Sequence, residues 1–301
     1  MKAETQLRKL TTERRNRATE NLDRMSALDI AYAMNREDML VPRAIRRVLP
    51  EIAQAIDLVA QCLAQGGRLI YAGSGTSGRI GALDASECSP TFGVDPQMVQ
   101  FVIAGGEKAL VKATEASEDS AYIGRNDIAK KKPCKHDVIV GIAASGYTPY
   151  TISVLEYAKS KGAATIAIAC NRRSALGDIA DIRIEAEVGP EALTGSSRLK
   201  AGTCAKLVCN MLTTGAMARL GYVYSNYMVN LHLTNNKLKH RGISIVEELT
   251  NVDQLTALKT LKIADMSVPL ALVMLKARIG KSQASQRLRK SKGNVRKAIE
   301  D

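Results

Sequence analysis

RLIYAGSGTS, residues 68–77, is a short apolar run that ends abruptly in glycine and hydroxyl residues. A strand buried on both faces reads this way when it meets a tight turn. DVIVGIAASGYT (137–148) repeats the pattern, and VQFVIAGG (99–106) and ATIAIAC (164–170) are further short apolar runs. A fifth, DIRIEAEVG (181–189), alternates and reads as an edge strand. Helical patterns lie between them, among them 51–64, 107–117 and 148–161. Strands of this kind alternating with helices predict an α/β fold: a parallel sheet of about five strands, flanked by helices.

Outward from that centre, residues 198–231 read as one long apolar helical stretch with a break near Gly221. It is too polar to span a bilayer. After Arg241 the texture changes, and 244–252, 255–263, 268–277 and 282–299 read as short helices separated by Asn, Asp, Pro and Gly. The reading divides the chain into an N-terminal helical segment (1–45), a sheet domain (46–243) and a small helical domain (244–301). The first segment is charged and too poor in core residues to stand alone.

The composition excludes several classes. A length of 301 residues suits one large domain or two small ones, and no apolar run reaches the ~18–20 residues of a membrane helix. The first thirty residues have no apolar h-region, so no secretory signal is expected and the chain reads as cytoplasmic. The net charge is +13, but +7 of it falls on 276–301 and +3 on 1–20. With no Trp and two Phe, the chain lacks the rings of a base-stacking surface, so no nucleic-acid partner is expected. Six cysteines include no C-x-x-C pair, and three histidines form no H-x-x-x-H, so neither a metal nor another cofactor is expected.

One internal repeat points to chemistry. The runs at 68–72 and 137–143 enter Gly73-Ser74-Gly75-Thr76-Ser77 and Ala144-Ser145-Gly146-Tyr147-Thr148, each followed by a helix. The carboxyl end of a parallel strand delivers the unpaired N–H groups and positive dipole end of the next helix. Glycine lets an anion come close, and hydroxyls add donors. One such loop is also what an ordinary helix cap looks like. Two in one sheet favour phosphate. Residues 73–78 formally match G-x-G-x-x-G, but no acidic residue ends the second strand, and no G-x-x-x-x-G-K-[ST] occurs, so a sugar phosphate suits the chain better than NAD or ATP.

These loops and their surroundings resemble the sugar-isomerase (SIS) domain, and the chain as a whole is similar to the N-acetylmuramate 6-phosphate etherases, relatives of the glucokinase regulatory protein. The stretches that carry the likeness are TERRNRATENLDRMSALDI (12–30), YAGSGTSGRIGALDASECSPTFG (71–93), EASEDS (115–120), GIAASGYTPY (141–150), TGSSRLKAGTCAKLVCNMLTT (194–214) and NVRKAI (294–299). Two positions depart from the family: it usually has two prolines where Ser89-Pro90 stands, and a basic residue where Tyr147 stands.

The resemblance implies a cytoplasmic lyase that removes the D-lactyl ether of N-acetylmuramate 6-phosphate by elimination and hydration. The products would be N-acetylglucosamine 6-phosphate and D-lactate, in recycling of cell-wall sugars. It also implies a homodimer and a ubiquitin-associated-like shape for the helical domain. The family's two catalytic glutamates fall on Glu87, as acid for lactate departure, and Glu118, as base at C2. By that reading Ser77, Ser145, Gly146 and Thr148 bind the phosphate with support from Ser74 and Thr76. Glu115 would hold sugar hydroxyls, and Ser196, Ser197, Arg198 and Lys200 would meet the lactyl carboxylate. Pro90, Phe92 and Ile80 would give Glu87 an apolar wall that raises its pKa. Glu87 lies ten residues past Ser77, ~15 Å along an unbroken helix, further than a hexose phosphate reaches. Either that helix bends back before Ser89-Pro90, or Glu87 serves a neighbouring subunit. The rivals are a non-catalytic sugar-phosphate sensor and an aldose–ketose isomerase of the same fold.

Overall fold

The computed structural model describes residues 10–112 and 117–301. The chain opens with three single 3-10 turns, at Thr11–Glu13, Arg17–Thr19 and Leu22–Arg24. Helices α1 (Ala27–Asp38), α2 (Leu40–Arg46) and α3 (Leu49–Ala64) follow. Then come β1 (Leu69–Gly73), α4 (Gly75–Phe92), β2 (Val99–Ile103), α5 (Ala121–Lys130), β3 (Val138–Ile142) and α6 (Pro149–Ser160). The sheet is completed by β4 (Ala164–Ala169), α7 (Ala175–Ile179) and β5 (Ile182–Glu185) before the long α8 (Lys200–Leu220). A two-stranded hairpin, β6 (Val223–Tyr224) and β7 (Tyr227–Met228), leads to α9 (Asn236–Thr250), α10 (Gln254–Ile263), α11 (Val268–Ala277), α12 (Lys281–Lys290) and α13 (Val295–Glu300).

The five long strands form one parallel sheet in the order β2-β1-β3-β4-β5, with β5 at an edge as its alternation predicts. Alternate residues serve opposite faces. Ile70, Ala72 and Ile139 pack with Ile128 of α5 and Tyr150, Val154 and Leu155 of α6. On the other face the Tyr71 hydroxyl donates to Asp84 of α4 at 2.8 Å, and Asn210 of α8 donates to the same carboxylate at 2.6 Å. Burial pushes the Asp84 carboxyl above its usual range, against the hydrogen bonds that lower it. With both faces covered, the strands read as continuous apolar runs.

The chain separates into two compact units: residues 1–86 with 97–213, and residues 87–96 with 214–301. The first holds the sheet together with the N-terminal segment. The second has its own apolar core, including Val229, Val246, Leu261, Val268 and Leu272. Its helices extend further back than the composition change suggests. The 243/244 boundary falls inside α9, where Ile243, Ile245 and Val246 are all buried on one helix.

Three local expectations change. Residues 222–231 are not helical: Gly221, at φ +89°, ends α8, and the chain turns through Ser225 at φ +53° into the hairpin. Of the helix predicted over 107–117, only a 3-10 turn forms, Glu107–Leu110, while 113–116 lie outside the described residues. The helix instead starts after Ser120, whose hydroxyl accepts from the Ile123 N–H. The segment 282–299 is two helices, because Lys292 (φ +53°) and Gly293 (φ +85°) reverse the chain and Asn294 caps α13.

Candidate functional site

The strand order reverses between β1 and β3: β2 lies outward of β1, and β4 and β5 lie outward of β3. The loops after these two strands therefore leave in opposite directions and open a crevice at their carboxyl ends, where open α/β sheets bind ligands. Gly73 pairs with Ile142, so the two glycine-serine loops start side by side. A cavity of about 680 Å3 lies there. Ser74, Thr76 and Ser77 line it from the first loop, and Ser145, Tyr147 and Thr148 from the second.

The first loop runs straight into α4. Gly75 takes φ +52°, and the first helical bond is the Gly78 N–H to the Ser74 carbonyl, 3.2 Å. The N–H groups before it open the helix, and they stand beside three hydroxyls. No Cβ fits at Gly78, where it would come within 2.7 Å of the Gly73 carbonyl.

The second loop is held more firmly by its own contacts. Gly146, at φ +77°, lies so close to Ser174 that a Cβ would sit 2.3 Å from the serine's Cβ. Its N–H is committed to the Ala143 carbonyl at 3.0 Å. The Tyr147 N–H donates to the Ser145 Oγ at 3.1 Å, and its phenol to the Arg173 carbonyl at 3.1 Å. Gly146 thus shapes the turn, and Ser145 and Thr148 line the cavity.

Among the described residues no lysine or arginine lines the cavity, but three carboxylates do: Glu13, Glu118 and Asp119. Glu118 is solvent-exposed and lies just before α5; its carbonyl accepts from the Tyr150 N–H, which fixes it to the start of α6. Asp119 and Glu13 were not singled out from the sequence. Asp119 follows Glu118 in EASEDS, and Glu13 belongs to TERRNR near the chain start. Nothing local marks either as a cavity residue.

The remaining predicted residues are placed as follows. Glu115 lies outside the described residues. Glu87 is solvent-exposed and is not among the residues lining the cavity; α4 is assigned as one helix through Pro90 to Phe92. Phe92 is buried and Pro90 exposed. Of the residues before α8, Gly195 and Ser197 line the cavity, Ser196 is half-buried and Arg198 exposed. The start of α8 is already capped. Glu191, fully buried, accepts from the N–H groups of Lys200 (2.8 Å) and Ala201 (2.9 Å). Burial pushes the Glu191 carboxyl up, against those bonds. The Lys200 ammonium is buried against Glu37, so it is spent on structure.

Comparison with known proteins agrees with this arrangement. Residues 51–159 match the glucokinase regulatory protein N-terminal SIS domain, and residues 134–215 match the SIS domain. An N-acetylmuramic acid 6-phosphate etherase of Actinobacillus pleuropneumoniae serotype 5b is 50% identical over 295 residues, 98% of this chain and 97% of its own. The chain belongs to the N-acetylmuramic acid 6-phosphate etherase family. Etherases of Oenococcus oeni and Vibrio campbellii are also 50% identical, over 97% of this chain and 99% and 94% of theirs. Among solved structures, a Bacteroides fragilis protein described as a phosphosugar isomerase involved in capsule formation shares the fold. Its TM-score is 0.50 at 17% identity, covering 69% of this chain and 98% of that one.

Proposed function

We propose that this protein cleaves the D-lactyl ether of N-acetylmuramate 6-phosphate, giving N-acetylglucosamine 6-phosphate and D-lactate. It acts as a carbon–oxygen lyase in the recycling of cell-wall amino sugars. The observation that carries the reading is 50% identity to a named etherase along 98% of the chain. The paired loops supply the place that a phosphate on such a substrate needs.

An ether at a secondary carbon resists direct displacement, so elimination is the easier route. With the sugar ring open, C1 is an aldehyde and the C2 proton becomes acidic. In the proposed step Glu118 removes that proton while the C3–O bond breaks and Glu87 protonates the departing lactate oxygen. Water then adds across the double bond, its hydroxyl to C3 and a proton to C2. Each proton transfer contributes about 10²–10⁴-fold. Ser77, Ser145 and Thr148, supported by Ser74, Thr76 and the Gly146 turn, would hold the phosphate. Arg198 and Ser196, next to Ser197, would meet the lactyl carboxylate, since a guanidinium suits that anion.

Glu87 is exposed, ten residues beyond Ser77 on one helix, or about 15 Å along its axis. A homodimer in which Glu87 serves the neighbouring subunit's cavity reconciles that distance with its role. Mixing Glu87→Gln and Glu118→Gln proteins and allowing subunits to exchange would then restore activity that neither has alone. No helix among the described residues is long and apolar enough to cross a membrane, and a cytoplasmic location suits a recycled sugar phosphate.

The decisive test is lactate release from N-acetylmuramate 6-phosphate in deuterated water. Lactate with deuterium at C2 of the product sugar supports elimination and hydration. Binding of the sugar phosphate without lactate would replace the enzyme by a sugar-phosphate sensor.

A further inference from the structure

We propose that Glu13 is a specificity-determining residue of this cavity, accepting hydrogen bonds from the hydroxyl or amide N–H groups of the bound sugar phosphate. The inference rests on the sugar-phosphate reading above and assigns one more residue to the same site.

Glu13 lines the cavity together with the hydroxyls of both loops. It arrives there on an N-terminal arm whose one buried apolar side chain over residues 10–24 is Leu10, so polar bonds must complete the hold. Those bonds are numerous and specific. The buried Asn171 side chain accepts from both the N–H and the hydroxyl of Thr11, each at 2.8 Å. Its amide donates to the Thr12 hydroxyl at 3.1 Å. Beyond Glu13, the Asn16 amide donates to Glu37 at 2.8 Å and to the Pro190 carbonyl at 3.2 Å, and the Thr19 hydroxyl to the Ala192 carbonyl at 2.7 Å. Glu13 is therefore bracketed on both sides by polar contacts, while its own side chain is solvent-exposed and lines the cavity, with one long hydrogen bond accepted from the Thr12 hydroxyl at 3.4 Å.

The same Asn171 amide also donates to the carbonyls of Ala144 (3.2 Å) and Ser145 (3.3 Å), in the second phosphate loop. One side chain thus sets both the loop and the arm, and fixes where Glu13 stands relative to a phosphate on that loop. A carboxylate is a poor neighbour for the phosphate itself and a strong acceptor for neutral donors. In a cavity where hydroxyl and N–H donors serve the anion, Glu13 is suited to the uncharged part of the ligand.

The experiment measures affinity for N-acetylglucosamine 6-phosphate and for inorganic phosphate by calorimetry, alongside lactate release, in the wild type, Glu13→Ala, Glu13→Gln and Asn171→Ala. Loss of a hydrogen bond to a charged acceptor predicts that Glu13→Ala weakens the sugar phosphate about 10- to 100-fold. Inorganic phosphate should change less than about twofold, since it touches only donors that Glu13→Ala leaves in place. Glu13→Gln falls between, because its carbonyl still accepts. Asn171→Ala weakens both ligands. A matched thermal melt for Glu13→Ala, whose side chain is exposed, shows that folding is intact. Equal loss of both ligands in Glu13→Ala, or loss of neither, overturns the proposal. A wild type that binds the sugar phosphate but releases no lactate counts against the lyase reading alone, and the two affinities still decide the role of Glu13.

Discussion

The two ends of the main sheet are built from different chemistry. At the amino end, carboxylates close the strands. Asp137 accepts from the Arg68 N–H at 2.9 Å, from the Arg68 guanidinium at 2.7 Å and from the Cys134 N–H at 3.0 Å. Asp181 does the same for Thr165, taking its N–H at 2.9 Å and its hydroxyl at 2.8 Å, with Lys159 paired beside it. At the carboxyl end, glycine replaces bulk, and Ser74, Thr76, Ser77 and Thr148 line a cavity. One end is satisfied within the chain; the other lines the cavity proposed to take the sugar phosphate. Damage at the amino end should therefore appear in stability, and damage at the carboxyl end in turnover and affinity.

The largest break in that contrast is at Glu118. Glu118→Gln should cut lactate release about 10²–10⁴-fold. Its side chain is exposed, so the melting temperature should stay within about 2 °C of the wild type. A fall in melting temperature that matched the loss of activity would erase the distinction.

Asp137→Asn should behave in the opposite way. It leaves a buried arrangement half-paired and should cost about 2–4 kcal/mol in denaturant unfolding, with kcat unchanged. Burial alone would raise the Asp137 carboxyl, but the Arg68 guanidinium and two backbone N–H groups outweigh it and hold it below its ordinary range. A depressed folded-state pKa means that the contribution is complete above the unfolded value, about 4, and fades as pH falls from there through the folded value. The stability gap between Asp137→Asn and wild type should thus be full at pH 7 and shrink below about pH 4. Urea titrations at several pH values measure it.

Ser77→Ala sharpens the carboxyl-end half. Losing one donor to a phosphate should weaken binding of N-acetylglucosamine 6-phosphate by about 1.5–3 kcal/mol and leave unfolding unchanged. The smallest effect is at Thr151, in the first turn of α6, whose buried hydroxyl has no hydrogen-bond partner. Thr151→Val keeps the shape and should raise stability by up to about 1 kcal/mol without changing the kinetics. A loss of activity there would show that this hydroxyl serves the site.

Much of this molecule is readable locally. Strand limits at 69–73, 99–103, 138–142 and 164–169 follow from apolar runs punctuated by glycine, because burial on both faces is written residue by residue. The misread stretches are those where punctuation outweighs apolar content. Tyr222–Asn230 contains enough apolar residues for a helix, but Gly221 and Ser225 take left-handed backbone and make a hairpin. The helix at 121–130 begins where Ser120 can cap it, whereas 107–117, which reads as a helix, forms a 3-10 turn at Glu107–Leu110 among its described residues.

By itself, then, the sequence determined the parallel α/β class, the two glycine-serine loops and the membership that whole-length identity makes plain. Each of these is a property of neighbouring residues or of matching order. The packed fold alone sets β1 and β3 side by side, so that loops 71 residues apart share one cavity. It also decided that Glu13 reaches that cavity and that Lys200 does not, being buried against Glu37. The physical reason is that juxtaposition depends on long-range pairing and on buried amides such as Asn171. Which distant partners they take is set by the packed fold, not by the residues beside them in the chain.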